Sequence, residues 1–108
     1  MKTMLVALIV AAGLEIGGDA AIRAGLIRSS ARWLLLGAIL LVTYGFVVNT
    51  SRSIDFGKLL GVYIAVFFVV SQLVSLLVFN ERPSPSLIFG GALIVLGGLI
   101  IQFEPLAK

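Results

Sequence analysis

The stretch Leu59–Phe79 reads L-L-G-V-Y-I-A-V-F-F-V-V-S-Q-L-V-S-L-L-V-F and carries no charge. Wound as an α-helix at about 1.5 Å per residue, it covers roughly 30 Å, the thickness of a bilayer's hydrocarbon core. Its only polar side chains are Tyr63, Ser71, Gln72 and Ser75. Working outward, Ser86–Phe103 follows it and is also uncharged. Before it lies Trp33–Thr50, again without charge, and the chain opens with Thr3–Ala21, interrupted by Glu15 and Asp19. A spanning helix needs about 20 mostly apolar residues. Open strands would leave backbone groups unpaired in lipid, and the alternating pattern of a barrel is missing. The reading is an all-α integral membrane protein with four transmembrane helices over 3–21, 33–50, 59–79 and 86–103. They form a single four-helix domain over 1–108, multi-pass in the inner (plasma) membrane.

Composition gives the same answer. Of 108 residues 60% are hydrophobic and 12% charged, and the mean hydropathy is +1.19. A soluble domain averages about 45–50% apolar and about 25% charged. A small soluble domain cannot hide that excess, because it buries a small share of its surface. There is no Cys and no His. That excludes a Ser-His-Asp triad, a Cys nucleophile, a zinc finger and haem held through His or Cys. The remaining polar inventory offers no base–nucleophile pair, so no enzyme, cofactor or metal is expected. The net charge of +3 is small, and the basic residues stand at the edges of apolar runs. That suits a membrane protein and not a nucleic-acid binder. Lys2 and the apolar run after it resemble a signal peptide, but Glu15 and Asp19 fall where a cleavage region is small and neutral. The segment is expected to stay as the first span.

The expected connections are Ile22–Arg32, Asn49–Lys58 and Asn80–Pro85. The last reads N-E-R-P-S-P, and its prolines are expected to stop the preceding helix. With four spans both termini share one side. That side collects Lys2, Arg52, Lys58 and Lys108; the other collects Arg23, Arg28, Arg32 and Arg82. Positive loops normally stay cytoplasmic and set the orientation. An even balance suits dual topology, in which two copies pair upside down as an antiparallel homodimer; the other reading is that charges weigh unequally and the Arg23–Arg32 cluster alone holds its loop inside.

Glu15 is the most informative residue. In a span over 3–21 it lies about 4–5 Å from the midplane along the helix, and Asp19 about 10 Å. An acid at that depth costs about 2.5–3.5 kcal/mol on insertion scales, so it is functional or paired. Glu15, Asp19 and Arg23 are spaced i, i+4, i+8 on one face, with Ala7, Ala11, Ala12 and Gly18 beside them. Small residues admit a neighbouring helix or a ligand. The functional reading is a carboxylate-lined cavity in which Glu15 exchanges a proton for a cationic substrate. The bland one is a structural acid bonded to a neighbouring helix. For Asp19 the two readings stand level, a part in substrate and proton binding or an i, i+4 ion pair with Arg23 near the surface. In an inverted dimer the two Glu15 copies would meet and titrate together. Tyr63 and Phe67 offer aromatic walls for a cation, and Trp33 reads as an interface anchor. In the last span Gly90 and Gly97, like Gly91 and Gly98, recur every two turns, which suits close helix association.

These features together resemble the small multidrug resistance family of the drug/metabolite transporter superfamily. F-N-E-R-P-S-P-S-L-I-F-G-G-A-L-I-V-L-G-G over 79–98 looks like the superfamily's acidic turn and glycine-containing final helix. L-E-I-G-G over 14–18 is similar to the family's glutamate region. The resemblance implies an antiparallel homodimer working by proton-coupled alternating access, with Glu15 as the shared binding glutamate. It also implies that helices one to three line the pocket, while the fourth holds the dimer through Gly90 and Gly97. The sequence departs from the drug exporters in its Trp33 before the second span, its additional Asp19, and a third helix whose small residues are Gly61 and Ala65. The expected partners are the lipid bilayer, protons, a small cationic or amphipathic substrate and a second copy. The alternative is a non-transporting or lipid-intermediate-handling membrane subunit that pairs with a related partner. A fluoride-type channel ranks lower, because the polar third helix of that family is missing.

Overall fold

The computed structural model describes residues 2–50 and 54–103, with Lys2 described in its backbone alone. Among these residues the chain is helical and without strands, in four helices. They are α1 (Lys2–Arg28), α2 (Ala31–Val48), α3 (Phe56–Phe79) and α4 (Pro85–Gln102). All four are long and apolar enough to cross a membrane. The chain divides into two compact units, residues 1–51 and 52–108. The first is the α1–α2 hairpin and the second the α3–α4 hairpin. Of the cations weighed in the charge balance, Arg52, Lys108 and the Lys2 side chain lie outside the described residues.

The largest departure from the expected spans is in α1, which continues through Ile22–Arg28 instead of ending at Ala21. Ala24, Leu26, Ile27 and the arginines are adequate helix formers, and only Gly25 weakens the run. The helix stops where Ser29 adopts a left-handed φ of 51°. The Ser30 N–H then reaches back to the Gly25 carbonyl at 2.9 Å. That is a Schellman-type closure with serine in the place usually held by glycine. The expected connection over 22–32 therefore shrinks to a turn at Ser29 and Ser30.

The expected role of the prolines is corrected as well. Asn80, with φ of 55°, ends α3. The Ser75 carbonyl accepts from the Asn80 and Glu81 N–H groups, while the Ser75 hydroxyl donates to Glu81 Oε1 at 2.7 Å. Pro85 opens α4, where its missing N–H costs nothing. Ser84 caps that helix by accepting from the Leu87 N–H at 3.2 Å.

Glycines set how closely each hairpin closes. A Cβ on Gly18 would fall 2.8 Å from Leu41, and one on Gly37 would fall 2.9 Å from the Gly18 carbonyl oxygen. One on Gly25 would meet the Leu34 backbone nitrogen at 2.9 Å. In the second unit Gly61 faces Ile101, Gly91 faces the Phe68 ring and Gly98 faces Ala65. Packing of this kind suits lipid, where apolar surfaces gain little from meeting each other and contact must come from close fit. The outward faces are apolar, as at Leu35, Val42, Phe46, Leu77 and Phe89, and no charged residue among those described is buried.

Gly98→Ala tests this packing. The new methyl would collide with the Ala65 Cβ, which has no torsion to relieve it, so the backbones must part. A loss of about 1–3 kcal/mol is expected. Gly13→Ala meets nothing within 4 Å, and should be neutral or stabilising by up to about 1 kcal/mol through helix propensity. Reversible denaturant unfolding in detergent micelles separates the two.

Candidate functional site

The α1–α2 contacts run in an antiparallel register. Gly25 meets Leu34, Ile22 meets Gly37, and Gly18 meets Leu41. Each step of three or four residues up one helix matches an equal step down the other. Continued by one step, the register sets Glu15 opposite Tyr44, and by another it sets Ala11 opposite Val48. The electrostatics agree with that extension. Tyr44 lies within reach of the Glu15 carboxylate and, more weakly, of Asp19. Neither Glu15 nor Tyr44 is without a partner. Ala11 and Val48 are both buried.

Glu15 is equidistant from the two ends of α1. It is half-buried, with buried Ala11, Ala12 and Gly18 within one turn of it. Asp19, one turn on, is exposed, and so is Arg23. Among the described residues no ion pair joins Asp19 to Arg23, contrary to the expected i, i+4 bridge. The arrangement can therefore do one thing chemically. It holds a carboxyl group at mid-helix, beside a phenol and small side chains, where the group can take up or release a proton.

Tyr63 and Phe67 belong to the α3–α4 unit. Tyr63 is buried and Phe67 half-buried, with ring centroids 6.0 Å apart and planes inclined by 45°. That is a tilted aromatic pair of ordinary geometry. Further along α3 the Ser71 hydroxyl donates to the Phe68 carbonyl at 2.7 Å. Gly90 and Gly97 have nothing within 4 Å of an added Cβ, whereas Gly91 and Gly98 are filled by α3. The two glycine pairs of α4 thus divide their work, and the pair expected at the dimer contact is the one left open.

Tyr44 is the residue that the sequence reading did not assign. Its signal was present, since a hairpin with a known turn fixes which residues face each other. The turn had been expected over 22–32, and centring it there would set Glu15 opposite Ile39.

The family described as "Uncharacterised BCR, YnfA/UPF0060 family" matches residues 1–106. A UPF0060 membrane protein of Mycolicibacterium gilvum is 34% identical over 99 residues, covering 90% of this chain and 91% of that protein. One of Herpetosiphon aurantiacus is 34% identical over 103 residues, covering 93% of this chain and 94% of the relative. One of Streptomyces avermitilis is 33% identical over 102 residues, with 92% and 90% covered. No solved structure matches the chain. The chain belongs to the UPF0060 family of membrane proteins.

The register is testable without background, because the chain has no cysteine. Glu15→Cys combined with Tyr44→Cys should crosslink within one chain under mild oxidation or with a short bifunctional reagent. Glu15→Cys combined with Ile39→Cys should not. The reverse pattern on a reducing and non-reducing gel would move the helix register.

Proposed function

We propose that this member of the UPF0060 family is a proton-coupled secondary transporter. It exports small cationic or amphipathic compounds by alternating access. The observation that carries the reading is Glu15, a half-buried carboxyl group at the midpoint of a membrane-spanning helix, opposite Tyr44. An unpaired negative charge at that depth is costly, so the carboxyl group calls for either a proton or a cation beside it. Each ligand then binds best when the other has gone, which is what couples two gradients. The resemblance to the small multidrug resistance family supports the same role for Glu15.

The other parts of the reading follow from where the side chains lie. Asp19 is exposed and nearer the water, where it draws a cation toward Glu15 without holding it. Within the second unit, the Tyr63–Phe67 pair offers ring faces of the kind that attract cations. The functional unit is an antiparallel homodimer. Two features support it: the even balance of cations across the membrane, and the open Gly90–Gly97 face of α4, which permits close backbone approach.

Two experiments test this. Glu15→Gln keeps the shape but fixes the neutral form. It should insert and fold normally, yet lose substrate-driven proton release and the pH dependence of substrate binding. Glu15→Asp should keep part of the activity, with a shifted pH optimum. Asp19→Asn should have the smaller effect. Solid-supported membrane currents at two pH values read transport and coupling together. If Glu15→Gln transports like the parent, Glu15 is a structural acid and the exporter reading fails. Gly97→Leu should lower the dimer fraction in sedimentation or crosslinking while insertion is unaffected, because the change makes α4 more apolar. An unchanged dimer fraction would place the contact elsewhere.

A further inference from the structure

The end of the α1–α2 hairpin carries a concentration of positive charge. Arg23, Arg28 and Arg32 fall within ten residues, and no Asp or Glu occurs between Asp19 and Asp55. All three arginines are exposed. The Arg28 guanidinium lies 5.7 Å from the centroid of the Trp33 ring. A cation–π contact at that distance holds the guanidinium over the indole face. The tight closure at Ser29–Ser30 brings the end of α1, with Arg28, beside the first turn of α2, with Arg32 and Trp33. Leu26 and Ile27, at 69% and 76% exposure, add an apolar surface beside the cations.

We propose that this end of the hairpin binds the phosphate headgroups of anionic phospholipids. The chemistry is specific at each position. Guanidinium groups present planar, forked donors that match phosphate oxygens two at a time. Indole prefers the level of the headgroups, with its ring against the acyl boundary. Leu26 and Ile27 sit in the acyl chains beside it. Arg23 starts about 7–8 Å deeper along α1 than Arg28, and its long side chain reaches upward to the same phosphate layer. The site does not depend on the transport reading, since Glu15 lies roughly 20 Å along the helix from Arg28.

Trp33 is the only tryptophan, so its fluorescence reports on this site alone. The full chain is reconstituted into vesicles of equimolar phosphatidylcholine and phosphatidylglycerol, with bromine on the acyl chains of one lipid at a time. Each arginine near an anionic surface strengthens attraction about fivefold. Brominated phosphatidylglycerol should therefore quench Trp33 as if enriched about fivefold or more over brominated phosphatidylcholine. Arg28→Gln with Arg32→Gln should bring the two lipids to near parity. Arg28→Lys with Arg32→Lys should keep part of the preference, since charge remains without the fork. Raising salt should reduce the preference through screening. Quenching in proportion to mole fraction in the parent protein overturns the proposal, whatever the variants do. So does an undiminished preference in the glutamine variant with its helix content intact. If that variant loses helix content, Arg23→Gln, outside the turn, gives the decision by a smaller fall in the same ratio.

Discussion

The close approach of α1 and α2 is the constraint on which the first half of the molecule depends. Gly18 and Gly37 bring the two backbones so near that even a methyl group would not fit. In water, burial of apolar side chains would hold such a pair together. In lipid the side chains are as well solvated apart as together, and close fit is what remains. The glycines therefore fix both separation and register. Once Gly25, Ile22 and Gly18 have met Leu34, Gly37 and Leu41, no freedom is left in what lies one step on. Glu15 and Tyr44 face each other because the glycines do.

The second hairpin applies the same rule with a different outcome. α4 carries two glycine pairs two turns apart, and only one is used against α3. Phe68 and Ala65 fill the space at Gly91 and Gly98, while Gly90 and Gly97 stay bare. A bare glycine in a membrane helix has a cost in backbone freedom and gains no packing within its own hairpin. The turn between α3 and α4 is built to hold this geometry. Asn80 supplies the left-handed residue, Ser75 grips Glu81 through both backbone and side chain, and Ser84 caps the helix that follows.

The four helices were legible in the sequence because hydrocarbon thickness sets their length. Leu59–Phe79 needed no other argument, and the observed α3 adds only residues at its start. Helix ends were less legible, for a local reason. The residues Ile22–Arg28 carry two arginines and a glycine, which read as a connection by composition. What places the helix end is a serine accepting a left-handed conformation after Arg28 and a glycine leaving room for Leu34. Neither shows in a hydropathy pattern. The same misplacement hid Tyr44, since the facing residue follows from the turn. Glu15 and Asp19 were found because charge in a span is rare at any register. Tyr63 and Phe67 share one face of α3 through their i, i+4 spacing, and their ring centroids lie 6.0 Å apart.

The kind of charge at each depth carries a last point. The described arginines stand near helix ends or in turns, and the lysine of α3 sits in its first turn. An arginine cannot shed its proton, so at mid-membrane it would remain a charge at all times. A carboxyl group can become neutral. Of the described charged residues, the two farthest from the helix ends are acids, and the deeper of them, Glu15, is at the midpoint of its helix. The shallower, Asp19, is exposed. Charge is thus graded along α1 from a group that can be switched off, through one nearer water, to Arg23 and Arg28, which are permanent.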